Sequence, residues 1–166
     1  MNAVNILIGN ICSLLAMVTD SVSSTRKTAK GVLIVQNFSQ LFYCVGAIVL
    51  KGYSSAVQNV VSIFRNLIAI KQINSKPLEW LLVVLGVVLG IWFNNLGIIG
   101  LLPVIANLEY TLAIFRFKDN ERALKIAFAI CVGLFVIFNF AILNFVGAIS
   151  NLIVMVATLI VLFKKR

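Results

Sequence analysis

The chain has 166 residues, of which 61% are hydrophobic and 11% charged, with a mean hydropathy of +1.08; soluble domains carry about 25% charged residues, so this is the composition of an integral membrane protein. A hydrocarbon core roughly 30 Å thick takes about 20 apolar residues per helix, which allows six or seven spans with short loops and no separate soluble domain. The net charge of +9 would suggest nucleic acid in a soluble chain, but here the basic residues cluster at the ends of apolar runs, and no nucleic-acid partner is expected.

The apolar runs lack two-residue alternation, which excludes a transmembrane barrel. They read instead as seven helices. The N-terminal "MNAVNILIGNICSLLAMV" has no positive leading region and no small-residue cleavage pattern, so it reads as a first span, 3–20, rather than a cleaved signal. Asn5, Gly9 and Ser13 share one of its faces, and Asp20 reads as interfacial. The second span, 31–50, carries Gln36, Gln40 and Tyr43 at i, i+4, i+7, again a single polar face. The third, 53–71, contains "QNVVSIFRNLIAI", with Arg65 inside the apolar run.

The fourth span, 78–94, is bracketed by Trp80 and Trp92 and carries Gly86 and Gly90 as a GxxxG face, for packing within the chain or in a homodimer. Glu79 at its start reads as interfacial. "NNLG" (94–97) supplies a turn, and the fifth span, 97–115, carries Pro103, Asn107 and Glu109. Residues 126–163 contain no charge at all. As one helix they would run about 57 Å, nearly twice the bilayer core, so they must fold back, at "NFAILN" (139–144). This gives spans six (122–139) and seven (142–163). Span six is apolar from Ile126 to Phe138 and is expected to face lipid or pack quietly. Cys12, Cys44 and Cys131, each inside an apolar run and without CxxC spacing, read as packing residues.

Charge orients the helices. Arg26, Lys27 and Lys30 follow the first span, Lys71 and Lys76 the third, Arg116, Lys118, Arg122 and Lys125 surround the fifth loop, and Lys164, Lys165 and Arg166 end the chain. With only Lys51 in the alternate loops, twelve of the fourteen basic residues fall on one side, predicting an outside N-terminus and a cytoplasmic C-terminus.

Span three can be laid over span seven at an offset of 92, pairing Ala56 with Ala148, Asn59 with Asn151, and Leu67 and Ile68 with Leu159 and Ile160. The same offset superposes the basic loop of 26–30 on 118–122. The expectation is a 3+1+3 parallel repeat, with a three-helix unit (1–72), an inverting helix (73–95) and a second unit (96–166).

"LLPVIANLEYTLAIF" (101–115), "SIFRNLIAI" (62–70) and "FVIFNFAILNFVGAI" (135–149) resemble the YgjV family of bacterial inner-membrane proteins over nearly the whole chain. That family is distantly similar to PQ-loop and SWEET-type proteins, so the resemblance implies a SWEET-like 3+1+3 fold in the bacterial inner membrane. It also implies that Asn59 and Asn151 face each other across a central pathway. Carboxamides both donate and accept, so such a pair suits a neutral polar solute; the alternative is that they simply join helices. Pro103 is a candidate hinge, while spans one, two and six carry no proline, a departure from the SWEET pattern.

Arg65 precedes Lys71 by six residues and Glu109 precedes Arg116 by seven, which puts both roughly 9 to 10 Å below one interface. An ion pair between them is expected, as a gate or as a clasp between the units; the competing reading has Arg65 snorkelling to the boundary. With zero histidines and five carboxylates, no catalytic set, metal cluster or cofactor fingerprint is present, and no enzyme is expected. The function expected is transport of a small polar solute, with Asn59, Asn151, Asn107, Gln36, Gln40 and Tyr43 lining the site. The alternative is a non-transporting receptor, sorting or assembly protein that binds a lipid or a partner helix.

Overall fold

A computed structural model describes residues 2–24, 26, 28–73, 75–117 and 120–164, without the side chains of 24, 29, 32, 114–116 and 121. The basic residues Lys27, Lys118, Lys165 and Arg166 lie outside the described residues, as does the Arg116 side chain. The described chain forms seven helices: α1 (Ala3–Ser24), α2 (Ala29–Val49), α3 (Tyr53–Ile70), α4 (Lys76–Trp92), α5 (Ile98–Phe117), α6 (Glu121–Ala141) and α7 (Phe145–Lys164). No strand occurs among the described residues.

Local chemistry sets the ends. Thr28 caps α2 by accepting the Gly31 N–H on its side chain, and Asn120 caps α6 by accepting the Ala123 N–H in the same way. The α2–α3 and α6–α7 turns also correspond bond for bond. The Leu50 N–H donates to Gly46 O, Lys51 to Ile48 O and Gly52 to Ala47 O, while Ile142 donates to Phe138 O, Leu143 to Phe140 O and Asn144 to Asn139 O. Lys51 and Leu143 both take left-handed backbone, at φ 59° and 62°. Every one of these pairs is separated by the offset of 92 read from the sequence. The α4–α5 turn is built differently: Asn94 accepts the Leu96 N–H and donates to Gly97 O, and Gly97 supplies the positive φ of 58°.

Six helices close into a ring. Along the chain α1 packs on α2, α2 on α3, α5 on α6 and α6 on α7; contacts of α3 with α5 and of α7 with α1 complete the circle. Helix α4 stands outside it, packed on α3 and α5. Gly86 and Gly90 face these two helices within the chain. The Gln58 amide donates to Gly86 O at 2.8 Å, and a Cβ on Gly90 would come within 2.6 Å of both Gln58 and Val104.

The core is small-residue packing. Ala16, Ala106 and Ala148 are fully buried, whereas large apolar side chains on every helix point outward, as expected where the surroundings are lipid. The main apolar cluster lies at the end where three turns gather. There Leu50, Phe138 and Ile142 pack together with Leu96 and Leu102 against them.

Candidate functional site

Within the ring lies a cavity of about 510 Å³. All six helices contribute polar side chains to its wall: Asp20 from α1, Gln40 and Tyr43 from α2, Asn59 and Arg65 from α3, Asn107 from α5, Asn139 from α6, and Ser150 and Asn151 from α7. Its floor, at the turn end, is Ile142 of the apolar cluster.

Six of the nine expected site residues line this space: Asn59, Asn151, Asn107, Gln40, Tyr43 and Arg65. Gln36 does not, because it sits one turn nearer the start of α2, where its carbonyl accepts the Ser39 hydroxyl. The polar face Asn5, Gly9, Ser13 also turns elsewhere. Gly9 lies against the Leu50 side chain and Ser13 is buried beside Gly46, so this face of α1 packs on α2. Pro103 is fully buried within α5 and is not part of the wall.

The expected Arg65–Glu109 ion pair is not formed among the described residues, and the buried Glu109 Oε2 has no hydrogen-bond partner. Rotation explains the miss. On α5 Asn107 and Tyr110 face the cavity, and Glu109 lies about 200° around the helix from Asn107 at 100° per residue. Tyr110 and Cys131 are within electrostatic reach of both charges. Depth contributes as well, since α5 runs on to Phe117, eight residues past Glu109, whereas α3 stops at Ile70, five past Arg65. Arg65 borders the central cavity on one side and a second cavity, between α3, α4 and α5, on the other.

Three features escaped the sequence reading. Asp20, read from the sequence only as interfacial, is part of the cavity wall: α1 continues to Ser24, one turn further than expected, and carries the carboxylate there. Ser39 donates to it, joining α2 to α1, and Tyr43 and Ser150 stand on the same stretch of cavity wall. Gln58 joins three helices, donating to Gly86 O and accepting from Asn107 at 3.0 Å. Helix α6, expected to face lipid or pack quietly, turns Ile126, Ile130 and Ile137 outward and also builds a wall of the cavity with Phe128, Cys131 and Phe135. Asp20 and Gln58 had a signal in their position beside small or polar residues; α6 had none.

Among the described residues three helices are long and apolar enough to cross a membrane, at Ala3–Ser23, Arg122–Ala141 and Phe145–Lys164, and Leu33–Val49 and Ile98–Ala113 are shorter apolar helices. With the outward-facing apolar perimeter, these define a multi-pass helical membrane protein. Residues 7–166 match the family model Imp-YgjV, described as bacterial inner membrane protein, and the chain belongs to that family. Its location is the bacterial inner membrane. No curated protein and no solved structure matches the chain, so the similarity to PQ-loop and SWEET-type proteins gains no support.

Proposed function

We propose that this protein is a transporter or facilitator of a small polar solute, which it moves without chemical change by opening the central cavity alternately to either side. The observation that carries this reading is the cavity: about 510 Å³ at the centre of six helices, with a polar side chain from each of them on its wall. Amides needed only to hold helices together would fill such a space with one another.

The moving parts are two three-helix units, α1–α3 and α5–α7, in a 3+1+3 repeat inverted by α4, with Pro103 as a hinge. The matched caps and turns at one offset support this division, as do the two equivalent contacts, α3 with α5 and α7 with α1, by which the units would meet. The basic residues favour an outside N-terminus and a cytoplasmic C-terminus, and then the apolar cluster closes the outer end.

The test is uptake into liposomes of a labelled panel of neutral, zwitterionic and anionic solutes. A solute that enters with the wild type should enter at least roughly ten-fold more slowly with Asn59→Ala or Asn151→Ala, the loss of about one strong polar contact. Lack of uptake across the panel, together with cysteines at 59 and 151 that water-soluble reagents cannot reach, would sink the reading.

One observation favours the second reading, a non-transporting protein that binds a lipid or partner helix. The cavity of about 230 Å³ between α3, α4 and α5 has largely apolar walls, including Val61, Leu82 and Val87. A phospholipid retained there through delipidation, with a central cavity closed to reagents, would favour it over transport.

A further inference from the structure

Arg65 is the residue whose chemistry the neutral-solute reading leaves without a use. Holding a cation inside a membrane helix costs roughly 2.5 to 3.5 kcal/mol on insertion scales, and such a residue normally finds a counter-charge or escapes to the interface. Arg65 finds no counter-charge among the described residues. Its half-buried side chain borders two cavities, and among the described residues it has no ion-pair partner and no hydrogen bond. The groups in its electrostatic reach, Tyr110 and Cys131, are neutral acids that cannot balance it.

The one carboxylate on the cavity wall among the described residues is engaged elsewhere. Asp20 receives the Ser39 hydroxyl and has Tyr43 beside it, and Arg65 is not among its electrostatic neighbours. The donors near Arg65 are of the kind that accompany an oxyanion: Ser62 lies one turn back on α3, and Asn107 faces the same two cavities from α5. Among the described residues no other Arg or Lys lines the central cavity.

We infer that the solute of the central cavity carries a single carboxylate, held by the Arg65 guanidinium, with its hydroxyl or amide groups read by the surrounding asparagines. This rests on the reading of the cavity as a solute site. A guanidinium fork matches a planar carboxylate with two parallel hydrogen bonds. One cation balances one negative charge, which favours a carboxylate monoanion over a phosphate dianion.

The experiment measures binding to the purified full-length chain in detergent, using lactate, its neutral analogue lactamide, and inorganic phosphate as probes. Saturable binding of lactate, with lactamide and phosphate at least roughly ten-fold weaker, is expected, and R65Q should weaken lactate by a similar factor. If R65Q does not fold, R65K serves, since it keeps the charge but loses the fork and should bind lactate more weakly than wild type. Equal binding of lactate and lactamide, preference for phosphate, no saturable lactate binding, or lactate binding unchanged in the variants would each overturn the inference. Liposome flux separates it from the transport reading. Arg65-dependent binding without flux overturns transport alone, and flux of a neutral solute indifferent to R65Q overturns the carboxylate alone.

Discussion

The two seams that close the helix ring occupy equivalent places and are fastened in different ways. Where α1 meets α7, the carboxamide of Asn10 spans the joint at its turn end, donating to Leu143 O and accepting the Val146 N–H, both at 2.9 Å, while its second N–H bonds Ile6 O. Where α3 meets α5, the residue 92 positions on from Asn10 is Leu102, which joins the apolar cluster instead. That seam is tied further along by Gln58 and Asn107, and α4 braces it from outside through Gly86. The Asn10 bonds thus fasten the first seam at its turn end, and the other seam is held along a third helix. Relative motion of the two sides is then expected where α1 and α7 separate toward the Asp20 end, with α3, α4 and α5 moving as a block.

Overfilling the braced seam should do the most damage. Gly90→Val forces a branched side chain into Gln58 and Val104, at a cost of about 1–3 kcal/mol or more, seen as lost folded yield and a lower thermal midpoint. The contrast is Gly86→Ala, whose Cβ meets nothing closer than 3.5 Å and should leave the midpoint nearly unchanged. Equal damage from both would mean that α4 merely crowds the seam and does not brace it through Gln58.

Cutting single fastenings should cost less and separate the two seams. Gln58→Leu leaves the Asn107 amide without its partner and removes the tie to Gly86 O, for about 1–2 kcal/mol, and should loosen α4 as well as α5 in hydrogen exchange. Asn10→Ala should cost about 1 kcal/mol and speed exchange at Val146 and its neighbours without affecting α3 to α5. Exchange spreading round the whole ring from Asn10→Ala would break the distinction between a pinned seam and a braced block.

The smallest effects fall on the matched turns. Lys51→Gly and Leu143→Gly each relieve a left-handed non-glycine backbone and should stabilise by up to about 1 kcal/mol in thermal unfolding. Similar gains at both are expected, since their backbone bonds correspond.

Helix number and extent were legible because length and hydropathy report them directly. Span 53–71 is α3 at Tyr53–Ile70, and the two internal turns fall at the asparagines that read as chain reversals. The rotation of each helix was less legible. Polarity marks the inward face only where polar groups have no other use, and Gly9 and Ser13 serve α1–α2 packing instead. On α5 the polar residues Asn107, Glu109 and Tyr110 do not share one face, so no stripe could phase that helix. Ring closure places apolar α6 beside the cavity, and a single sequence carries no trace of that.

The apolar cluster of Leu50, Leu96, Leu102, Phe138 and Ile142 has a thermal consequence. It seals the turn end of the cavity, so opening there would wet five apolar side chains in addition to breaking the Asn10 bonds across the α1–α7 seam. Wetting such surface raises the heat capacity. The rate of any such opening should therefore bend away from a straight line against inverse temperature, and a polar residue at Phe138 should straighten it.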